Sequence, residues 1–267
     1  MYDEIKNKVR ELLGSEEIQG FLALKQDGMH VGPHLFVDPD EVEHLVIGDV
    51  SEPGRARYPV LKIMQTLLHS YPEARFGVLL RGCDERHLKA LVAWNQISAD
   101  RVVPVGVACP QALAEACQCM QPYPENYLEG KPAEPVQHQA LPLEEAPPLE
   151  RWSSWLHEFE KCIKCYGCRN ICPMCFCNEC ALESEDVVSP GEIPPEFPMF
   201  HLVRAVHMIG RCVDCGLCEE ACPVNIPLRS LYKKVNEIVF AHFQFRPGFG
   251  TKERSPLHEV PEPPPTR

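Results

Sequence analysis

The sequence predicts an α/β N-terminal domain, carrying a small parallel or mixed sheet, followed by an α+β domain organised around cysteine. Three observations carry that expectation. Apolar segments of helical and strand-like period alternate over residues 1–120, a Pro-rich stretch interrupts them over 121–150, and residues 151–245 hold eleven of the fifteen cysteines.

Ile5, Val9, Leu12 and Leu13 recur at helical spacing and Gly14 offers a stop, so the chain opens on a short amphipathic helix. Apolar bursts follow at 21–24 and 45–47. A helix from about Pro59 to Ser70 carries Leu61, Ile63, Met64, Leu67 and Leu68 and leads into a strand, Phe76 to Leu80. A second helix, about Glu85 to Gln96, with Asp84 and Glu85 as its caps, leads into a strand from Val102 to Ala108. This helix-strand-helix-strand order implies parallel pairing. A further helix, Gln111 to about Cys119, closes the unit.

Over 121–150 the composition turns to Pro, Glu and Gln, which reads as a semi-extended, solvated linker. Trp152, Trp155, Leu156 and Phe159 then form an aromatic helix face suited to packing over the cysteines or onto the first domain. The second domain spans 151–245, with an insertion at 175–200. Leu228, Leu231, Val235, Ile238 and Val239 share one face of its last helix. The Pro-rich tail, 246–267, is expected to be disordered.

Eight cysteines fall into two copies of Cys-x2-Cys-x2-Cys-x3-Cys-Pro: Cys162, Cys165, Cys168 and Cys172 before Pro173, and Cys212, Cys215, Cys218 and Cys222 before Pro223. That is the ligand spacing of a two-[4Fe-4S] ferredoxin-like domain, in which the fourth cysteine of each run serves the other cluster. One cluster is therefore expected on Cys162, Cys165, Cys168 and Cys222, the other on Cys212, Cys215, Cys218 and Cys172. A single run would fit zinc or chance; two identical runs, each followed by proline, fit neither. Gly167 and Gly216, between the second and third ligands, let the backbone fold tightly around sulfur.

Of the other cysteines, Cys175, Cys177 and Cys180 crowd directly behind the first run and suggest a third centre, either zinc or a further iron-sulfur cluster. Cys83 and Cys109 each stand just past the C-terminal end of a predicted strand, where open α/β sheets place their binding sites. Adjacent strands would bring them together in a metal or cofactor site. Cys117 and Cys119, two apart on the predicted helix, face different directions and read as packing. The eleven histidines show no ligand spacing.

Lys and Arg total 26 against 38 Asp and Glu, a formal charge of −12, and no basic stretch is present to neutralise phosphates. Nucleic acid is excluded as a partner on that ground. No run reaches the roughly 18 apolar residues of a transmembrane segment, and the opening is too charged for a secretory signal. With thiols in ligand spacing, this sets the expectation of a soluble protein in a reducing, anaerobic cytoplasm.

Arg81-Gly-Cys-Asp-Glu-Arg86, Asn95-Gln96, Gly106-Val-Ala-Cys-Pro110 and the run Cys172-Pro-Met-Cys-Phe-Cys-Asn-Glu-Cys180 together resemble the beta-subunit family of coenzyme F420-reducing hydrogenases and formate dehydrogenases. The ending Cys222-Pro-Val-Asn-Ile-Pro-Leu resembles dicluster subunits associated with heterodisulfide reductases. The resemblance implies a subunit that passes electrons between partner redox subunits of a larger complex and a flavin, F420 or nicotinamide site. Family members bind a flavin. This chain is shorter in that portion, and it has neither Gly-x-Gly-x-x-Gly nor a Gly-Lys-Ser/Thr phosphate loop.

Overall fold

The computed structural model describes residues 2–48, 56–137, 139–189, 191–194, 197–250 and 255–256. Most of the tail expected to be disordered lies outside the described residues. Helix α1 (Asp3–Gly14) leads to β1 (Gly20–Asp27), β2 (His30–Phe36), a 3-10 turn at Pro39–His44 and the short β3 (Leu45–Val46). Helix α2 (Val60–Ser70), β4 (Phe76–Leu80), α3 (Gly82–Ala93), β5 (Val102–Gly106) and α4 (Gln111–Ala116) follow. The C-terminal part is helical: α5 (Pro142–Glu145), α6 (Pro148–Glu160), α7 (Gly167–Asn170), α8 (Met199–His207), α9 (Leu217–Glu220) and α10 (Leu228–Phe243).

The sheet is mixed, in the order β2-β1-β4-β5 with β3 also on β1. The β1-β4 and β4-β5 pairs are parallel, as the helix-strand alternation requires, whereas β2 and β3 run antiparallel to β1. The sequence did not announce β2. Its Gly32 and Pro33 obscure the strand pattern, and Pro is tolerated there because β2 is an edge strand.

Alternation along the strands sorts side chains onto two faces. Phe21, Ala23, Leu79 and Val105 join Ile5, Val9 and Leu12 of α1 in one core. Leu22, Phe76, Val78 and Leu80 face the other way, onto Leu61, Met64 and Leu68 of α2 and Leu91 of α3. This second core does not stop at the sheet domain. It runs on through Phe159, Met174, Phe200, Met208, Ile226 and Tyr232, so one apolar body joins the sheet to the cysteine-rich part. Burial on that scale holds the two parts in fixed relation.

The stretch after α4, expected as a solvated spacer, is irregular yet pinned against the sheet's C-terminal edge. Cys109 N–H donates to the Pro122 carbonyl at 2.9 Å, Leu128 N–H to Gly106 at 3.0 Å and Val136 N–H to Cys119 at 2.8 Å. Proline removes donors but leaves carbonyls to accept, so a Pro-rich segment can still be stitched down. Close approach is possible because of two glycines. A Cβ on Gly82 would lie 2.3 Å from the Gln121 carbonyl oxygen, and one on Gly106 would lie 1.9 Å from that of Asn126. Among the described residues, no helix is long and apolar enough to cross a membrane.

Candidate metal centres

Each ferredoxin-spaced run makes a loop that ends in one short helix, α7 after the first pair of cysteines and α9 after the second. The two loops share a backbone pattern. Lys164 and Asp214, two residues past the first cysteine of each run, have φ of 55° and 56°; Tyr166 and Gly216, one past the second cysteine, have φ of 57° and 81°. The left-handed residue is thus the one after the second cysteine, so Gly216 occupies it in one loop and a tyrosine in the other. Gly167 serves a different purpose. A Cβ there would come within 3.0 Å of the Ala221 carbonyl oxygen, so its lack of one lets α7 approach the other loop.

The fourth cysteine of each run lies with the other run. Cys172 lines one cavity with Cys212, Cys215 and Cys218, with about 370 Å³ of space counting what opens to solvent; Met174, Met208, Leu217 and Tyr232 add an apolar wall. Cys222 lies near Cys162 and Cys168, and both of these also feel the Cys165 thiol. Backbone N–H groups turn toward sulfur: Lys164 N–H donates to Cys162 Sγ and Ile226 N–H to Cys222 Sγ, each at 3.4 Å.

The donor set suits thiolate-bound iron. Burial pushes the Cys162 thiol up to about 11 and that of Cys212 up to about 12, so neither is a free nucleophile near neutrality. A bound cation reverses that preference, because a ligating thiol is deprotonated by the metal. Basic groups stand ready to balance the resulting charge. Arg204 donates to the Cys168 carbonyl at 2.8 Å, and Arg57 donates to that of Cys215 while pairing with Glu220.

Cys175, Cys177 and Cys180 have separate surroundings. Cys175 Sγ accepts from Arg204 Nη1 at 3.0 Å and shares a hydrogen bond with Cys172, which pulls the Cys175 thiol down to about 5. Cys177 is exposed, and its sulfur accepts from Arg211 Nη1 at 3.6 Å. That guanidinium lies over Trp94 at 4.3 Å and Phe176 at 4.8 Å. Cys180 lies near Tyr166 and Arg169. Among the described residues, no three His, Cys, Asp or Glu side chains gather as the ligands of a single ion, in this segment or in either run.

The sheet edge brings Cys83 and Cys109 together. They follow the parallel, adjacent strands β4 and β5, and both line a cavity with about 330 Å³ of space, counting what opens to solvent. Cys117 and Cys119 line it too. The expectation that these two face apart fails for a local reason. Helix α4 ends at Ala116, and Gln118 turns left-handed at φ 44°, so both cysteines leave a turn and not a helix. A helix-stop signal at Gln118 is absent from the sequence, which is why periodicity missed them. Helix α3 likewise starts earlier than expected, placing Cys83 in its first turn; Asp84 Oδ2 accepts from Arg81 N–H at 3.0 Å as a cap.

A family described as a 4Fe-4S binding domain matches residues 206–227, the stretch holding the whole second run. Two curated relatives extend the likeness. The F420-dependent formate dehydrogenase subunit beta of Methanocaldococcus jannaschii is 45% identical over 92 residues, 34% of this chain and 24% of that protein. The F420-dependent formate dehydrogenase 1 subunit beta of Methanococcus maripaludis is 47% identical over 105 residues, 39% of this chain and 26% of that protein. The matched stretches span about a quarter of the relatives' length. Over somewhat more than a third of its length, then, this chain is similar to the beta subunits of F420-dependent formate dehydrogenases, the resemblance its own motifs carry.

Proposed function

We propose that the chain is an iron-sulfur electron-transfer subunit of a cytoplasmic oxidoreductase complex, relaying electrons between partner redox subunits such as those of a formate dehydrogenase, a hydrogenase or a heterodisulfide-reductase-like assembly. The observation that carries this reading is the exchange of fourth cysteines between the two runs. Cys162, Cys165, Cys168 and Cys222 would hold one [4Fe-4S] cluster, and Cys172, Cys212, Cys215 and Cys218 the other. When bound, such clusters supply one-electron chemistry, and the protein contributes ligation, spacing and tuning.

The chain's own residues do the rest. Phe159, Met174, Met208 and Tyr232 share an apolar body with the buried Cys162, Cys168, Cys172 and Cys218, which favours the less charged state of each centre. The N–H groups of Lys164 and Ile226 and the guanidinium of Arg204 offset negative charge on sulfur. No general acid, base or nucleophile is required of the protein for this work. The crossed arrangement has a direct test. In anaerobically purified protein, Cys172→Ala and Cys218→Ala should bleach the same paramagnetic signal on reduction, and Cys222→Ala the other; Cys172→Ala and Cys168→Ala acting on one signal would refute it.

A second reading, a flavin-dependent oxidoreductase subunit using F420 or NAD(P), is favoured by one feature. A cavity with about 1370 Å³ of space, counting what opens to solvent, lies against Cys212 and is lined by Arg86, Lys233, Phe240, Arg246 and Phe249. Cations and aromatic rings beside a candidate cluster ligand suit a planar, phosphate-bearing cofactor. Stoichiometric flavin released from the purified chain would move this reading to first place.

A further inference from the structure

The relay reading uses eight cysteines and leaves Cys83, Cys109, Cys117 and Cys119 without a task. We propose that these four hold a third [4Fe-4S] cluster, at the C-terminal edge of the sheet. The inference rests on the relay reading above and extends it.

Four cysteines from three separate places in the chain line one cavity: the first turn of α3, the end of β5 and the turn after α4. They act on one another as neighbours, Cys83 on Cys109, Cys109 with Cys119, and Cys117 with Cys119. Disulfides do not explain them, since all four are free thiols. The space beside them, about 330 Å³ counting what opens to solvent, is close to the 370 Å³ beside Cys172, Cys212, Cys215 and Cys218 counted the same way. Like that set, they are not drawn together tightly enough for one ion. A cube of iron and sulfide has four iron corners and needs thiolates that stand wider apart than the ligands of zinc.

The surroundings favour a dianionic occupant. Arg57, Arg86 and Arg229 all line the cavity, and Arg81 Nη1 approaches Cys109 Sγ at 3.7 Å. Arg57 is nearly buried, its side chain 7% exposed, and its Nε has no partner among the described residues. Arg57 also pairs with Glu220 and Arg229 with Asp214, which leaves Arg86 and Arg81 with charge that four thiolates on an iron-sulfur core would help to balance. Arg81 at 5% and Arg86 at 5% exposure are equally withdrawn from water.

The position gives the site a purpose. Cys215 and Arg229 line both this cavity and that of the second run, so the two share a wall. An electron leaving a reduced cluster here would reduce the oxidised one beside it, extending the relay from the ferredoxin-like part to the edge of the sheet.

Iron, sulfide and zinc analysis of the full chain, purified anaerobically, tests this. About twelve iron and as many sulfides are expected, falling to about eight in Cys117→Ser/Cys119→Ser with the two other paramagnetic signals retained. Retention of those signals would show that the variant is folded. About eight iron in both proteins would overturn the third site and leave the two-cluster relay standing, whereas a chain without iron would remove both. Zinc lost on substituting Cys117 and Cys119 would also overturn it, as would loss of the extra iron on changing Cys175, Cys177 and Cys180 to Ala instead. On the unaltered protein, anomalous scattering at the iron edge should show a third peak among Cys83, Cys109, Cys117 and Cys119; its absence would refute the proposal even if the variants misfold.

Discussion

The two ferredoxin-spaced runs have identical cysteine spacing and different surroundings. In the first, Cys165 and Ile163 are exposed, and an aromatic string of Trp155, Phe159, His201, Phe200 and Tyr166 flanks the loop. In the second, the matching Cys215 is half-buried and backed by Arg57 and Arg229, and Tyr232 closes the floor. Spacing selects the ligands, whereas the packing of the loop decides whether a centre looks outward or inward. Among the eight ligand-spaced cysteines Cys165 is the exposed one, so the first set looks outward there, whereas the second set, buried to half-buried, looks inward.

The largest effects test that asymmetry at the ligands. Cys215→Ala should remove the inward centre and weaken the fold that surrounds it, while Cys165→Ala should remove the outward centre and cost less stability; iron content and thermal unfolding of both variants make the comparison. Next is the floor of the second set. Tyr232 is 1% exposed and its hydroxyl has no partner among the described residues, so Tyr232→Ala should cost about 3 to 5 kcal/mol, whereas Tyr232→Phe should be neutral or stabilising in a denaturant titration.

A smaller change distinguishes the two centres electrically. Arg57 stands beside Cys215, and removing its charge as Arg57→Gln should lower the potential of the inward centre by an amount on the order of tens of millivolts while leaving the outward one nearly unmoved. A redox titration followed by paramagnetic resonance reads both at once. Equal shifts would erase the difference drawn here.

The mildest effect belongs to the outward side. Burial lowers His201 to about 4 from the 6.5 of a free imidazole, with Arg204 adding to it. Above pH 6.5 the ring is neutral folded or unfolded; as pH falls toward 4 the unfolded chain takes a proton that the buried ring refuses, and stability drains away. His201→Phe, which keeps the stack on Phe159, should remove a loss of at most about 3 kcal/mol across that window. Urea unfolding at several pH values would show it.

Much of this arrangement could be read before any coordinates. Apolar period located α1, α2, α3, β4, β5 and α10 because each buries a continuous face, and the helix-strand order implied the parallel pairs. What escaped were features decided by contacts distant in sequence. β2 is specified by pairing with β1 more than by its own residues, and the Pro-rich stretch, largely exposed as its composition implies, is pinned by backbone groups that no residue pattern announces. Cys83 and Cys109 were legible from strand ends. Cys117 and Cys119 were not, because a single left-handed residue, Gln118, decides where they lie.

Arg229 lies at the seam of the molecule. Its guanidinium holds Asp214 at 2.6 Å and reaches back 112 positions to the carbonyl of Cys117. The sheet-edge cavity therefore takes part of its wall from a helix made 112 positions after Cys117. During translation that wall is missing until α10 has left the ribosome and docked. The order of biosynthesis follows: the sheet edge is made first and gains this part of its wall only when α10 docks upon it.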